Sequence, residues 1–214
     1  MKIGLLGGSF NPIHNAHLEI AEQARLACAL ERVVFIPAAD PPHKKLAGDV
    51  PFGLRCRMVE LAIAARPGYE LSTIEGERSG KSYSIDTIQA FRVIAPQDEL
   101  FFIIGGDSFL EIGLWHRYAD IFSSCSLIVL ERPGHEIGDP LKALPDAVRM
   151  AFCFEGETRR LIHSSGHLVC FVQGAPRNVS STEIRRLAAD GKSITHLVPP
   201  DVAAYISQQR IYSE

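Results

Sequence analysis

The first seventeen residues place two glycines between an apolar run and the start of a helical pattern. An apolar run, Ile3–Leu6, predicts a buried strand, and Gly7 and Gly8 follow it as a turn. His14 and His17 stand three residues apart where a helical pattern begins. Glycines let a backbone approach an anion, and the free N–H groups of a helix's first turn attract it. Side chains at i and i+3 share one helix face, so we predict that both imidazoles reach one phosphate chain.

Short apolar runs alternate with longer helical patterns along the chain. Nearly continuous apolar runs are typical of strands covered on both faces, and β/α alternation predicts a parallel, doubly wound sheet. Ligands bind such sheets beyond the carboxyl ends of the strands. We predict a single α/β domain over residues 1–214, with a mostly parallel, Rossmann-like sheet and with the helices of 180–210 included. The predicted strands are Lys2–Leu6, Val33–Pro37, Glu70–Thr73, Leu100–Ile104, Leu127–Leu130 and His167–Val172.

The predicted helices share an apolar spacing of three to four residues. They are Ala16–Leu30, Leu54–Arg66, Ser84–Ile94, Ser180–Ala189 and Pro200–Gln209. The segment Gly134–Gly166 fits neither pattern well, although Ala147–Phe154 within it has helical spacing. We interpret that segment as a surface excursion between the fifth and sixth strands.

Composition excludes several classes of protein. The chain is 46% hydrophobic and 22% charged, with a net charge of −3, which is ordinary for a soluble globular protein and unfavourable for wrapping nucleic acid. We expect no membrane span and no signal peptide, because no apolar segment is long enough and the chain begins with a strand. Five cysteines with apolar neighbours and no C-x-x-C spacing predict buried, reduced thiols and a cytoplasmic location.

Two further segments admit both a structural and a functional interpretation. Ser180 and Glu183 have the spacing of a helix capping box, yet a helix start with several hydroxyls and Arg185 nearby also suits phosphate. Asp107 follows Gly106 at a strand end, where a carboxylate caps the next helix or takes a ribose hydroxyl.

The segment Gly8–His17 resembles the signature of nucleotidyltransferases with an H-x-G-H element. Among these the chain is most similar to the bacterial nicotinate-nucleotide adenylyltransferases, and the matches extend over nearly its whole length. Ala16 stands where that signature has glycine, which adds one methyl group close to the expected phosphate. If residue 16 is helical, alanine is conformationally acceptable there.

The resemblance implies which residues bind ATP. The loop Pro41–Lys45 matches a Pro-Pro-His-Lys segment of the family, and Ser180–Arg185 matches its Ser-Ser/Ala-Thr-x-Ile-Arg segment. The alternative for the first is a solvated basic turn. The resemblance implies four catalytic residues, which are His14, His17, Lys44 and Arg185. The implied ATP-binding residues are Gly7, Gly8, Ser9, Phe10, His43, Ser180, Ser181, Thr182 and Asp107.

The resemblance also implies a site for nicotinate mononucleotide. Ser82–Thr87 matches the segment whose backbone N–H groups receive the nicotinate carboxylate, with Ser84 where threonine is usual. Trp115 matches a tryptophan that stacks on the nicotinate ring, although an isolated tryptophan is most often a core residue. Tyr83 belongs to the same binding set. Arg132 matches a position near the mononucleotide phosphate, although exposed arginines are common.

The implied activity is adenylyl transfer from ATP to nicotinate mononucleotide in NAD biosynthesis. It implies Mg²⁺ bound mainly through the ATP phosphates, with no protein metal ligands. It implies no nucleic-acid or membrane partner and leaves a homo-oligomer open. The alternatives are an adenylyltransferase for nicotinamide mononucleotide or phosphopantetheine, and a nucleotide sensor without turnover.

Overall fold

The structure is a computed structural model that describes residues 1–42, 50–132, 134, 136–174 and 179–213. His43 and Lys44, both predicted to bind phosphate, lie outside the described residues. The chain forms two compact units. Unit 1 comprises Met1–Gly7, Ile20–Val33 and Tyr83–Pro176, and unit 2 comprises Gly8–Glu19, Val34–Ser82 and Arg177–Glu214. This division does not test the prediction of one domain over 1–214, which stays a prediction.

The described strands and helices alternate over most of the chain, as predicted. The strands are β1 (Lys2–Gly8), β2 (Arg32–Pro37), β3 (Tyr69–Leu71), β4 (Glu99–Gly105), β5 (Ser126–Glu131), β6 (Phe152–Glu155), β7 (Arg160–His163) and β8 (Leu168–Gln173). The helices are α1 (Asn15–Ala27), α2 (Phe52–Ile63), α3 (Ser84–Ile94), α4 (Gly106–Leu110), α5 (Tyr118–Ser124), α6 (Pro140–Ala143), α7 (Asp146–Arg149), α8 (Ser181–Ala189) and α9 (Pro200–Gln208). Short 3₁₀ helices cover Ile74–Glu77 and Ile112–Leu114.

Unit 1 is built on a mostly parallel sheet. Its strands lie in the order β1, β4, β5, β8, β7, β6, and the pairs β1/β4, β4/β5 and β5/β8 are parallel. Every residue of β5 is buried, as the continuous apolar run predicts for a strand covered on both faces. The α/β class with a mostly parallel sheet is therefore confirmed.

The interpretation of Gly134–Gly166 as a surface excursion is wrong in part. Two short helices, α6 and α7, are followed by β6 and β7, which pair antiparallel and extend the sheet beyond β8. The helix expected over Ala147–Phe154 ends with α7 at Arg149, and Phe152–Glu155 is a strand. Phe152 is buried whereas the rest of β6 is exposed, so the short strand offers too weak an alternation to be recognised.

Unit 2 contains the histidine motif itself, within Gly8–Glu19. Strands β2 and β3 are neighbours, and the Ser72 N–H donates to the Phe35 carbonyl at 3.0 Å. Helices α2, α8 and α9 belong to this unit, and Ile184 and Val202 are fully buried.

The cysteine prediction holds for most of the five thiols. All five are free; Cys56, Cys125 and Cys170 are buried and Cys28 is half-buried. The prediction is wrong for Cys153, which is exposed because it lies on the short edge strand β6.

Candidate active site

His14 stands at the N-terminus of α1 and is joined to His17 by a backbone cap. The His14 N–H donates to Nδ1 of His17 at 3.2 Å, and the His14 carbonyl accepts from the His17 N–H at 2.9 Å. The imidazole thus plays the part that a glutamate takes in a capping box. Because Nδ1 of His17 accepts a hydrogen bond, the neutral ring carries its proton on Nε2, which is therefore a donor.

The two imidazoles are stacked and neutral. Their ring centroids lie 3.7 Å apart with an interplanar angle of 23°. Burial lowers the pKa of His14 to about 4, and burial together with the neighbouring His14 lowers the pKa of His17 well below its usual value. Nδ1 of His14 is buried and has no hydrogen-bond partner among the described residues. A buried polar atom without a partner is costly, and an incoming anion or its proton supplies one.

Ala16 is compatible with the helix start. It lies in the first turn of α1, so its backbone is helical and alanine is conformationally acceptable there, as the sequence argument required.

Side chains from distant segments of unit 2 hold the loop before α1. Arg55 Nη1 donates to the Ser9 carbonyl at 2.8 Å, and Arg185 Nη1 donates to the Asn11 carbonyl at 2.8 Å. The Ser181 hydroxyl donates to the Pro12 carbonyl at 3.1 Å. A carbonyl oxygen repels phosphate. These three carbonyls are bonded to protein donors.

Phe10 is predicted to bind ATP, and its side chain is only 1% exposed. Its ring meets His17 edge-on with centroids 5.0 Å apart, and Phe35 lies 5.9 Å away. Its backbone φ is +43°, a left-handed conformation that is uncommon for a bulky residue and clusters at functional sites. The ring therefore packs against His17, and the predicted contact of Phe10 with ATP stays a prediction.

The start of α8 uses its hydroxyls within the protein. Ser180 caps the helix by accepting from the Glu183 N–H at 3.1 Å, which is the structural alternative considered for this segment. The Thr182 hydroxyl accepts from Arg185 Nη2 at 3.1 Å. The structure thus ties Arg185 to the loop before α1, and the predicted contacts of Ser180, Ser181, Thr182 and Arg185 with ATP stay predictions.

In unit 1, Asp107 and Arg132 form an exposed ion pair. The carboxylate and guanidinium lie 3.4 Å apart, and both side chains are more than two-thirds exposed. Asp107 lies in the first turn of α4, and the N-cap residue of that helix is Gly105, so Asp107 does not occupy the cap position considered for it. An exposed pair of this kind contributes little to stability, which leaves both groups available to a polar ligand.

Tyr83, Ser84 and Trp115 also lie in unit 1. Tyr83 precedes α3 as its N-cap residue without a side-chain cap, and its ring lies 4.3 Å from the His116 ring. Ser84 begins α3, so the first N–H groups of an 11-residue helix stand at this segment. Trp115 is half-buried and meets Phe102 edge-on at 6.4 Å, so it is not the core residue that an isolated tryptophan most often is.

Comparison with known proteins identifies the family. The Cytidylyltransferase-like family model matches residues 5–187. A "Probable nicotinate-nucleotide adenylyltransferase" of Pelobacter propionicus is 64% identical over 100% of this chain and 99% of its own length. One of the same name from Geobacter metallireducens is 54% identical, again over 100% and 99%. The chain belongs to the nicotinate-nucleotide adenylyltransferase family.

Solved structures support the fold. The nicotinic acid mononucleotide adenylyltransferase of Plasmodium falciparum, in complex with NaAD, superposes with a TM-score of 0.72 over 99% of this chain and 97% of its own. The identity is 18%, so this likeness concerns the fold alone.

Arg55 is one feature of this family member that the sequence analysis missed. It is 1% exposed, and it bonds the Ser9 and Val50 carbonyls and lies 5.5 Å above the Phe52 ring. Burial lowers its pKa, but the guanidinium remains charged, as arginine does in proteins. This buried positive charge lies against the loop before α1, where it favours a nearby anion. The sequence signal was an arginine among the apolar positions of α2.

Glu131 is a second missed residue. It is 3% exposed, and its Oε1 accepts from the Ile137 N–H at 2.7 Å and from Arg159 Nη2 at 2.9 Å. Arg159 also donates to the Ile137 carbonyl at 2.7 Å. Glu131 therefore ties Ile137 and Arg159 to the end of β5, next to Arg132 in the sequence. Its signal was a carboxylate directly after the continuous apolar run Leu127–Leu130.

The donor set around the histidines suits phosphate rather than a metal held by protein. The loop and helix start offer imidazoles, N–H groups and arginines. Among the described residues, no three His, Cys, Asp or Glu side chains gather where they could hold a metal ion. A divalent metal therefore fits this site as a companion of the ATP phosphates.

No helix within the described ranges is long and apolar enough to cross a membrane.

Proposed function

We propose that this protein transfers the adenylyl group of ATP to nicotinate mononucleotide, releasing pyrophosphate and forming nicotinate adenine dinucleotide in NAD biosynthesis. The observation that carries the proposal is the stacked pair His14 and His17, which follows a loop whose carbonyls accept hydrogen bonds from buried or half-buried arginines of the protein. The names and full-length identity of the relatives supply the substrate.

The mechanism needs no general base. The attacking group is the phosphate of the mononucleotide, which is already an anion, so catalysis consists of alignment and charge stabilisation. The His17 Nε2–H group donates to the α-phosphate or the bridging oxygen as negative charge develops there. Arg185 draws α8 and the Asn11 carbonyl together, which keeps the loop N–H groups directed at the phosphates.

We propose that His14 takes up a proton as ATP binds. Burial lowers its pKa in the free protein, and an adjacent polyanion raises the pKa of an imidazole. His17 stays neutral in this account, because its Nδ1 accepts from the His14 N–H. Bound Mg²⁺ would neutralise phosphate charge and aid departure of pyrophosphate. Lys44 and His43 belong to the proposed phosphate set by resemblance.

The proposed mononucleotide residues lie in unit 1. The N-terminus of α3 at Ser84 offers N–H donors to the nicotinate carboxylate, and Arg132 offers its guanidinium to the phosphate. A carboxylate needs donors only, whereas nicotinamide also carries an N–H₂ group that needs an acceptor. A pocket of donors leaves that group unpaired and therefore favours nicotinate mononucleotide.

Pyrophosphate release tests this function directly. ATP and Mg²⁺ are supplied with nicotinate mononucleotide, nicotinamide mononucleotide or phosphopantetheine in separate reactions. We expect strong preference for nicotinate mononucleotide. Equal use of both pyridine nucleotides contradicts the donor-only pocket, and tight ATP binding without release from any acceptor favours a nucleotide sensor instead.

Trp115→Ala is expected to raise KM for nicotinate mononucleotide about tenfold with little change in kcat. The N-ribosylated pyridinium is cationic, and tryptophan is the most favourable aromatic partner for a cation. Steady-state kinetics at saturating ATP measures the effect. Trp115→Phe keeps an aromatic face and serves as the matched control, for which we expect a smaller rise. An unchanged KM in the alanine variant would remove Trp115 from the proposed site.

The remaining parts of the proposal concern location and partners. Five free thiols fit a reducing compartment, and we propose the cytoplasm. We propose no nucleic-acid or membrane partner and leave a homo-oligomer open.

A further inference from the structure

The C-terminal tail reaches the loop before α1. After α9 ends at Gln208, the Tyr212 hydroxyl donates to Oδ1 of Asn11 at 2.6 Å, across 201 positions of sequence. Asn11 is 2% exposed and Tyr212 is half-buried. Both residues belong to unit 2.

Asn11 is the central residue of the phosphate loop. Its carbonyl accepts a hydrogen bond from Arg185. The Ser9 carbonyl accepts from Arg55, and the Pro12 carbonyl accepts from Ser181. Those bonds fix the backbone of the loop. The hydrogen bond from Tyr212 fixes the Asn11 side chain. Asn11 lies between Pro12 and Phe10 in the sequence, and the Phe10 ring packs on His17.

The tail adopts a conformation that contacts must maintain. Arg210 and Tyr212 have φ values of +50° and +72°, in the left-handed region that large side chains rarely adopt. Such backbone persists where the surroundings impose it, and it clusters at functional segments. Ile211 between them is buried, which anchors the tail. Burial also raises the pKa of the Tyr212 phenol, so it remains a proton donor throughout the neutral range.

We propose that Tyr212 is a positioning residue for the ATP phosphates: its hydroxyl holds Asn11 so that the loop, Arg185 and His17 keep the arrangement that receives them. Tyr212 touches no reacting atom in this account and acts through Asn11. Testing this role by kcat/KM rests on the proposed adenylyl transfer.

Tyr212→Phe tests the proposal because it removes one oxygen and preserves the ring. We expect kcat/KM for ATP to fall about tenfold, as for loss of a hydrogen bond to a buried group, while KM for nicotinate mononucleotide stays within about twofold. Tyr205→Phe is the matched control, since it removes a hydroxyl from α9 for which the described residues show no hydrogen bond. It should leave both constants unchanged.

A double-mutant cycle separates positioning from general destabilisation. If Tyr212 acts through Asn11, the pair Asn11→Ala and Tyr212→Phe loses no more activity than Asn11→Ala alone. Additive losses overturn the proposal. So does a wild-type kcat/KM for ATP in Tyr212→Phe, or a fall in Tm with equal losses for both substrates.

Binding of a non-hydrolysable ATP analogue with Mg²⁺, measured by calorimetry, keeps this test independent of turnover. If the wild-type protein binds the analogue but shows no adenylyl transfer, the proposed function fails. A tenfold weaker Kd in Tyr212→Phe still supports the positioning role in that case, and an unchanged Kd overturns it.

Discussion

Replacing His17 with alanine is expected to lower kcat by about 10²- to 10³-fold, the usual cost of losing one donor to a developing oxyanion. The His17 ring has Nδ1 occupied by the His14 N–H and therefore has Nε2–H free to donate. Steady-state pyrophosphate release at saturating substrates measures the loss. His196→Ala removes an exposed imidazole from the same unit and should retain normal turnover.

The same substitution also removes a helix cap, and the two effects can be separated. Losing the acceptor for the His14 N–H costs about 1 kcal/mol of stability, as for other N-terminal caps. His17→Asn restores an acceptor in that region without an imidazole. We expect it to recover part of the stability and none of the turnover. Near-normal kcat in either variant would contradict the assignment of His17 to the phosphates.

The sequence predicts the elements of this fold well where the pattern is long or continuous. The apolar runs at β4 and β5 and the helices α3 and α9 are found within one residue or two of the predicted bounds. Residue spacing also predicts the Ser180 cap and the pairing of His14 with His17. In each case the signal is local, because a helix or a cap depends on residues three or four positions apart.

The contacts that support the candidate site are not local. Arg55 reaches Ser9 across 46 positions and Arg185 reaches Asn11 across 174. Hydrophobic periodicity carries no information about such pairs, since it reports which face is buried and not what it meets. Strands β6 and β7 were not predicted for a different reason: each has four residues, which are too few to show a period.

Acid should destabilise this protein in a manner that depends on His14. The pKa of its imidazole is about 4 in the folded protein and about 6.5 in an unfolded chain. Between those values the unfolded state binds more protons, so stability falls as pH falls. The contribution is complete above pH 6.5 and lost near pH 4, and it amounts to about 3 kcal/mol. His17 acts in the same direction.

Urea unfolding at several pH values between 4 and 8 measures this slope. His14→Asn should flatten it relative to the wild type. The comparison uses the slope and not the stability at one pH, because removing a stacked ring alters packing as well. Equal slopes in His14→Asn and wild type would mean that His14 is not held neutral by burial.

ATP should reduce the same slope in the wild type. Bound phosphates raise the pKa of His14 in the folded state, so that the folded and unfolded states take up protons over a more similar range. Proton uptake must then accompany ATP binding, and the apparent affinity for ATP must rise as pH falls through that range. His14→Asn should lose part of that uptake. A slope unchanged by ATP would place the phosphates away from the histidines, even if the protein proved to be an active adenylyltransferase.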